Sequence, residues 1–255
     1  MRRFHYDKSS IVNALKAIGV KEGDTLFSHV SLLNLGFCQS DPITSLIAAI
    51  KDVIGESGTF LTPAYTYSFC RNEIFNPLVS ESEVGVFSNY LIKELNMQRS
   101  IDPLFSVVGF GKNIATLFDK LPPTSFGEDC LYERLHKLNA KVCNIGLSLF
   151  YLTPIHYLER KLKVPYRFDK EFSGIIEHDV TQKQNITWEY YVRQLCEASL
   201  PDCAPLELEG VKLGICKKQT LGLSNVHLVA MKEYFSLASK LIKIDPWFLA
   251  KGSNL

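Results

Sequence analysis

The stretch Asp41-Pro42-Ile43-Thr-Ser-Leu-Ile-Ala-Ala-Ile-Lys-Asp-Val-Ile54-Gly55-Glu-Ser-Gly58-Thr-Phe-Leu-Thr-Pro63 carries one helix and one strand in immediate succession. Asp41 is a good N-cap, and Pro42 suits the first helical position because its missing N–H is not needed there. Ile43 to Ile54 then repeats apolar residues at helical spacing until Gly55, and Gly58 to Pro63 reads as a short buried strand. Upstream, Ser10 to Ile18 is helical and stops at Gly19, after which Lys21 to Asp24 turns the chain into a strand over Thr25 to Val30. Downstream, helices are predicted at Val84 to Leu95, Lys112 to Asp119 and Asp129 to Leu138, with strands at Phe105 to Phe110 and Lys141 to Ile145. This alternation predicts one α/β domain over residues 1–255 with a mixed central sheet. Ala64 to Ser82, rich in Tyr, Phe, Asn and Pro, reads as a loop over the sheet edge whose aromatics suit a pocket wall. After Pro165 the pattern changes. Phe172 to Val180 and Ile186 to Arg193 read as two strands joined by Thr181-Gln-Lys-Gln-Asn185, a late β-rich excursion over about 172–193, and a last helix is predicted at about Asn225 to Lys240.

Composition narrows the class. In 255 residues, 28 Lys and Arg offset 27 Asp and Glu to give a net charge of +1, so no global field recruits nucleic acid or an anionic membrane. The seven cysteines contain no C-x-x-C pair, and their odd number does not close into a complete disulfide set, which is reduced, intracellular usage. The charged start Met1-Arg-Arg-Phe-His is not followed by a signal-peptide pattern, and no apolar run reaches the roughly 18 residues of a membrane span. The expectation is a soluble cytoplasmic protein.

Several familiar motifs fail on a specific residue. Gly109-Phe-Gly111 lacks the third glycine of the dinucleotide fingerprint, where Ile114 stands, so a Rossmann cofactor is not supported. Gly146-Leu-Ser148-Leu-Phe150 approaches a nucleophile elbow, but Phe150 replaces the small residue that permits the strained turn. There is no Walker A loop, no H-E-x-x-H and no Cys/His cluster, and so no warrant for a metal site.

Chemistry is concentrated in Thr153-Pro-Ile-His156-Tyr-Leu-Glu159-Arg160. Thr153 suits an N-cap and Pro154 the first helical position, which puts His156 in the first turn. The positive helix terminus disfavours imidazolium there, leaving a neutral ring able to act as a general base. Glu159, three residues on, shares its face and could orient the ring. The bland alternative is a partly buried helix-start histidine bonded to a nearby carbonyl. Against it, the helix follows the expected strand Val142 to Leu149, and α/β sheets hold their sites at the carboxyl ends of strands.

With these residues in view, the chain resembles the aminoglycoside 3-N-acetyltransferases and their antibiotic N-acetyltransferase-like relatives. The resemblance rests on Gly23-Asp-Thr-Leu-Phe-Ser-His29-Val-Ser31-Leu-Leu-Asn-Leu-Gly36, Gly58-Thr-Phe-Leu-Thr-Pro-Ala-Tyr65-Thr-Tyr67 and Val84-Gly-Val-Phe87, in that order. Arg99-Ser100 with Pro103 and Ser106-Val107, then the His156 run and Val164-Pro-Tyr-Arg167, complete it. It implies a three-layer α/β/α fold and transfer of an acyl group, acetyl or hydroxyacyl, from a coenzyme A thioester to a sugar amine, with no metal. It implies His156 as the catalytic histidine and Glu159 as its companion carboxylate. His29 and Ser31 either line the thioester end of the pocket or satisfy backbone groups at a strand end. Backbone N–H groups near Ser31, or from Ser106 to Val107, are the candidate oxyanion donors. Arg99 either holds a coenzyme A phosphate or is an ordinary capping or surface charge. Tyr65 and Tyr67 contact the sugar or simply pack.

The chain departs from aminoglycoside-modifying members at Ser100-Ile-Asp102-Pro103-Leu-Phe105-Ser106, where two histidines are usual. Asp102 is then either a second carboxylate near the amine or an N-cap before Pro103. The balanced charge and basic runs such as Arg160-Lys161-Leu-Lys163 argue against a polycationic acceptor. They favour a nucleotide-linked amino sugar of surface polysaccharide biosynthesis, with an aminoglycoside or a non-catalytic carbohydrate-binding role as alternatives.

Overall fold

Asp41 accepts the Thr44 N–H on its side chain at 2.8 Å, Pro42 opens the helix and Gly55 closes it at φ 63°, so the capping chemistry of the central stretch sets both ends of its helix. The computed structural model describes residues 4–179 and 182–253. In chain order its elements are α1 (Lys8–Ala17), β1 (Thr25–Phe27), α2 (Leu32–Leu35), α3 (Pro42–Ile54), β2 (Thr59–Pro63), α4 (Val86–Lys93), β3 (Val107–Gly111), α5 (Ile114–Phe118) and α6 (Leu131–Lys137). There follow β4 (Lys141–Ile145), α7 (Ile155–Lys161), β5 (Arg167–Asp179), β6 (Gln182–Arg193), α8 (Ala204–Lys212), β7 (Lys217–Leu221), β8 (Ser224–Ala230) and α9 (Met231–Ile244).

Six strands form one mixed sheet in the order β3-β2-β1-β4-β8-β7, with β1 parallel to both β2 and β4 and the outer pairs antiparallel. Strand alternation splits its side chains between two cores. Leu26, Phe60, Val108, Cys143 and Leu228 pack with α1, α3 and α4, whereas Phe27, Leu61, Val107, Val142 and Val229 pack with the helices from α5 to α9. The result is the expected α/β/α three-layer arrangement. Gly109 serves this sheet rather than a dinucleotide: a Cβ there would lie 2.1 Å from the Phe60 carbonyl oxygen, so only glycine lets β3 approach β2 this closely.

The late excursion is a separate two-stranded ribbon of β5 and β6. It is longer than expected, because Gln182 to Asn185, read as turn, continue β6 paired with β5, with a shift of register between Glu177 and Asp179. Val180 and Thr181 of the expected hairpin lie outside the described residues, as do Met1 to Arg3. The last helix is corrected too: Asn225 to Ala230 belong to β8, and α9 begins only at Met231. Val226, Leu228 and Val229 are buried in the sheet, and the paired neighbours β4 and β7 decided the conformation of a run whose apolar residues also fit helical spacing. Among the described residues no helix is long and apolar enough to cross a membrane.

Candidate active site

From β1 the chain moves outward to β2 and β3, then returns to place β4 on the other side of β1. The carboxyl ends of β1 and β4 therefore flank a topological switch point, the place where open α/β sheets leave a crevice. His29 follows β1, and the segment leading to α7 follows β4. The two are tied together. Asn144, fully buried in β4, accepts the His29 N–H at 3.2 Å and lies 3.3 Å from His29 Nδ1, while its amide donates to the Ser148 and Tyr151 carbonyls at 2.8 and 2.7 Å. Asn144 had no role in the sequence reading, although an asparagine inside the apolar run Val142-Cys-Asn-Ile145 was a visible signal.

Helix α7 carries the chemistry, but not with the expected cap. Pro154 stands at its start and Thr153 makes no capping bond; Thr153 Oγ1 instead lies 3.0 Å from His29 Nε2. His156 Nδ1 is 2.5 Å from Glu159 Oε2, the geometry that three-residue spacing permits. Glu159 Oε1 accepts the Tyr166 hydroxyl at 2.7 Å, and Arg167 Nε lies 2.9 Å from Oε2. With Glu159 ionised, Nδ1 carries the ring proton and Nε2 keeps its lone pair. The Phe126 ring meets the imidazole edge-on at 5.3 Å.

Electrostatics agree with that tautomer. His156 is held below the usual histidine range by burial first and by Arg167 second, with Glu159 opposing both. This neutrality was expected from the helix terminus; the causes in the structure are burial and a guanidinium. Burial alone would raise the Glu159 carboxyl, but His156, Arg167 and Tyr166 together hold it below its ordinary value. His29 is pushed down to about 4, chiefly by burial and further by His156, so it is also neutral.

The other candidates occupy varied places. Arg99 is buried and fully engaged: Nε donates to Ser106 Oγ at 3.0 Å, and its terminal nitrogens donate to the Ser80 and Ala64 carbonyls, each at 2.5 Å. That makes it a strut between the 64–80 loop and β3, with no donor aimed at a phosphate. Ser106 Oγ in turn donates to Ala64 O at 2.6 Å. The N–H of Val107 donates to Ser100 Oγ and that of Ser31 to Ile145 O, both at 2.9 Å, so neither of these two donors is turned toward an oxyanion. Tyr65 is buried with its hydroxyl 3.2 Å from that of Tyr132, and Tyr67, at φ 51°, packs edge-on against Phe105 with ring centroids 5.4 Å apart. Asp129 pairs with Arg134 at 2.6 Å, and Cys130 is the N-cap of α6.

Asp102 is buried, and its Oδ1 accepts the N–H groups of Leu104 and Phe105, both at 2.8 Å. These are the bonds of a turn cap, although no helix follows Pro103. Burial pushes its carboxyl up to about 6. A carboxyl raised in the fold binds its proton more tightly there than in the unfolded chain, so stability falls as pH rises from about 4 to about 6 and is level above. Asp102→Asn keeps the Oδ1 acceptor and loses the buried charge. It is expected to stabilise the protein by up to about 3 kcal/mol at about pH 8 and to make little difference at about pH 4, as read from urea unfolding at the two values. A turn cap also predicts retained turnover, whereas a carboxylate at the amine predicts its loss.

A cleft of about 750 Å³ is lined by Phe126, Tyr157, Arg160 and Arg167, residues that neighbour the His156 and Glu159 pair without including it. It carries both signs of charge: Glu128, Glu133, Asp169, Arg160, Lys161 and Lys163 line it with Tyr157, Phe168 and Tyr191, and Arg160 is paired with Asp169 at 2.7 Å.

A hydrolase needs a nucleophile held by a base; this site instead has a partly buried histidine on a buried carboxylate, with aromatic neighbours, which suits proton removal from an incoming nucleophile. A family model described as aminoglycoside 3-N-acetyltransferase matches residues 27–243, and the chain belongs to that family. It is 26% identical over 166 residues to aminoglycoside N(3)-acetyltransferase IV of Salmonella sp, a match that covers 64% of this chain and 62% of that protein. It is 28% identical over 187 residues to the SPbeta prophage-derived aminoglycoside N(3')-acetyltransferase-like protein YokD of Bacillus subtilis, with 64% and 68% covered. The chain thus matches somewhat under two thirds of the first relative's length. Among solved structures, aminoglycoside acetyltransferase AAC(3)-Xa superposes with a TM-score of 0.82 at 21% identity, covering 93% of this chain and 92% of that one. AAC-IIIb, in a binary complex with CoASH, superposes with a TM-score of 0.81 at 22% identity, covering 93% and 97%. At such identities the likeness establishes the fold. These relatives carry aminoglycoside names, or symbols of that series, so support goes to the alternative acceptor and not to the nucleotide-linked sugar expected from net charge.

Proposed function

We propose that the chain is a coenzyme A-dependent N-acetyltransferase that acylates an amine of an aminoglycoside, with His156 as general base. The observation that carries this reading is the partly buried His156, whose Nδ1 is bound to Glu159 and whose Nε2 is left for the substrate. The sugar ammonium first loses a proton to give a neutral amine. Its nitrogen attacks the thioester carbonyl carbon, and Nε2 takes the second proton as the C–N bond forms. Collapse of the tetrahedral intermediate breaks the C–S bond, and the leaving coenzyme A thiolate takes the proton from the His156 imidazolium, which restores the neutral base. The imidazolium formed in between is stabilised by Glu159, whose second oxygen stays anchored by Tyr166.

The relatives' names and the CoASH complex of AAC-IIIb support the choice of acceptor and donor. Net charge argued otherwise, but the sum of +1 says nothing about where the charges sit. Glu128 and Glu133 give the cleft carboxylates with which to attract an ammonium group, whereas Asp169 is paired with Arg160 at 2.7 Å. Arg99 is held by carbonyl groups and Arg160 by Asp169 and Glu189, so Lys161 and Lys163 are the better candidates in the cleft to meet the coenzyme A phosphates. Reaction in the cytoplasm, where acetyl-CoA is available, fits the reduced cysteines.

The test is thiol release from acetyl-CoA and from a hydroxyacyl-CoA in the presence of aminoglycosides and, separately, of nucleotide-linked amino sugars. The expected result is turnover with aminoglycosides and no trapped acyl-enzyme. Turnover confined to nucleotide-linked sugars would overturn the acceptor, and binding without turnover for every donor would mark a non-catalytic carbohydrate-binding protein.

A further inference from the structure

Glu159 Oε2 sits between two groups. It is 2.5 Å from His156 Nδ1 and 2.9 Å from Arg167 Nε, with only 2% of the Glu159 side chain and 3% of the Arg167 side chain exposed. Arg167 Nε makes no hydrogen bond of good angle, so this contact acts through charge, while its NH1 is held by the Tyr191 carbonyl at 3.2 Å. A carboxylate bound to a histidine makes it a stronger base but also favours its protonation by water, which would disable it near neutral pH. A fixed cation on the same oxygen opposes that protonation.

We infer that Arg167 is a positioning residue that holds the Glu159 carboxylate in place and, by offsetting its charge and by direct repulsion, keeps His156 unprotonated and ready to accept the amine proton. The inference rests on the general-base role proposed above for His156. Among the described residues, the titratable groups that face the pair from the other elements are uncharged. His29 beyond β1 is neutral, pushed down to about 4 by burial. Burial raises Tyr166 before β5, Tyr190 and Tyr191 on β6 and Cys203 ahead of α8, so all four are uncharged near pH 7. Arg167 is the cation that acts on the imidazole. Since it depresses the histidine and Glu159 raises it, the expected effect of removing the guanidinium is an upward shift of His156.

The experiment is an NMR titration of the His156 ring in the wild type, Arg167→Met and Arg167→Lys, with the resonance assigned by its loss in His156→Ala. His156 is expected to titrate below the ordinary histidine range in the wild type, to move upward in Arg167→Met, and to stay near the wild-type value in Arg167→Lys. In turnover, the acid limb of kcat/KM should move to higher pH in Arg167→Met, so that its loss is several-fold greater at about pH 6 than at about pH 8. A merely structural role would lower the rate equally at both. Wild-type His156 titrating at or above the ordinary range, or unchanged in Arg167→Met, would overturn the inference. Should Arg167→Met fail to fold, the wild-type and Arg167→Lys titrations decide: a low value retained in the lysine variant supports it, and an ordinary value in either sinks it. The titration needs no substrate, so a chain that transfers no acetyl group would refute the enzymatic reading and still report on Arg167.

Discussion

His156→Ala is expected to lower kcat for acetyl transfer by about 10²–10⁴-fold, the usual contribution of a positioned general base, and to leave the fold intact. The loss corresponds to about 3–5 kcal/mol of transition-state stabilisation. The fold survives because Glu159 keeps Tyr166 and Arg167 as partners after the imidazole is gone, so no buried charge is stranded. His156 is itself about one-fifth exposed, and truncating its ring costs packing chiefly against Phe126. Steady-state kinetics beside a thermal melt checks both halves. A variant that melts like the wild type and turns over at the same rate would remove His156 from the mechanism.

Glu159→Gln is expected to do damage of a different kind. It leaves Arg167 buried without a counter-charge, and breaking a buried pair from one side costs about 3–5 kcal/mol. The wild-type carboxyl is depressed in the fold, so its contribution is present above the ordinary carboxylate range and is lost as pH falls through the folded value. The destabilisation of Glu159→Gln should therefore shrink in acid, as urea unfolding across that range would record. Activity should fall by about 10²–10⁴-fold, because glutamine neither fixes the Nδ1–H tautomer firmly nor stabilises the imidazolium. Adding Arg167→Met to Glu159→Gln removes the stranded cation; stability should recover in large part, and turnover should not. Recovery of both together would mean that the pair matters only for folding.

The sequence carried the layered fold well wherever local chemistry was decisive. Asp41, Pro42 and Gly55 bracket α3 by capping, and Lys141 to Ile145 is a strand on its β-branched content, with the same bounds in the structure. It carried less where tertiary pairing decided, as in β8, where Asn225 to Ala230 reads as the start of a helix until β4 and β7 are placed on either side. The turn of the β5 and β6 ribbon read too long, since the polar run Gln182 to Asn185 resembles a loop when its cross-strand partners are unknown. At the site, the pairing of His156 with Glu159 was legible because helical spacing makes the two neighbours. Arg167, Tyr166 and Asn144 acquire their roles only through contacts between separate elements, α7 with β5 and β4 with the segment after β1, which periodicity along one element does not encode. Arg99 shows the converse: its surroundings read as those of an exposed arginine after a helix, and folding wraps it in carbonyl groups.

The most direct measurement is mass spectrometry of one aminoglycoside incubated with acetyl-CoA and either the wild type or His156→Ala, at equal concentrations of folded protein. The expected result is an aminoglycoside carrying one added acetyl group on an amine with the wild type, and almost none with the variant. Unmodified aminoglycoside in both reactions, or equal acetylation in both, would contradict a histidine-based N-acetyltransferase.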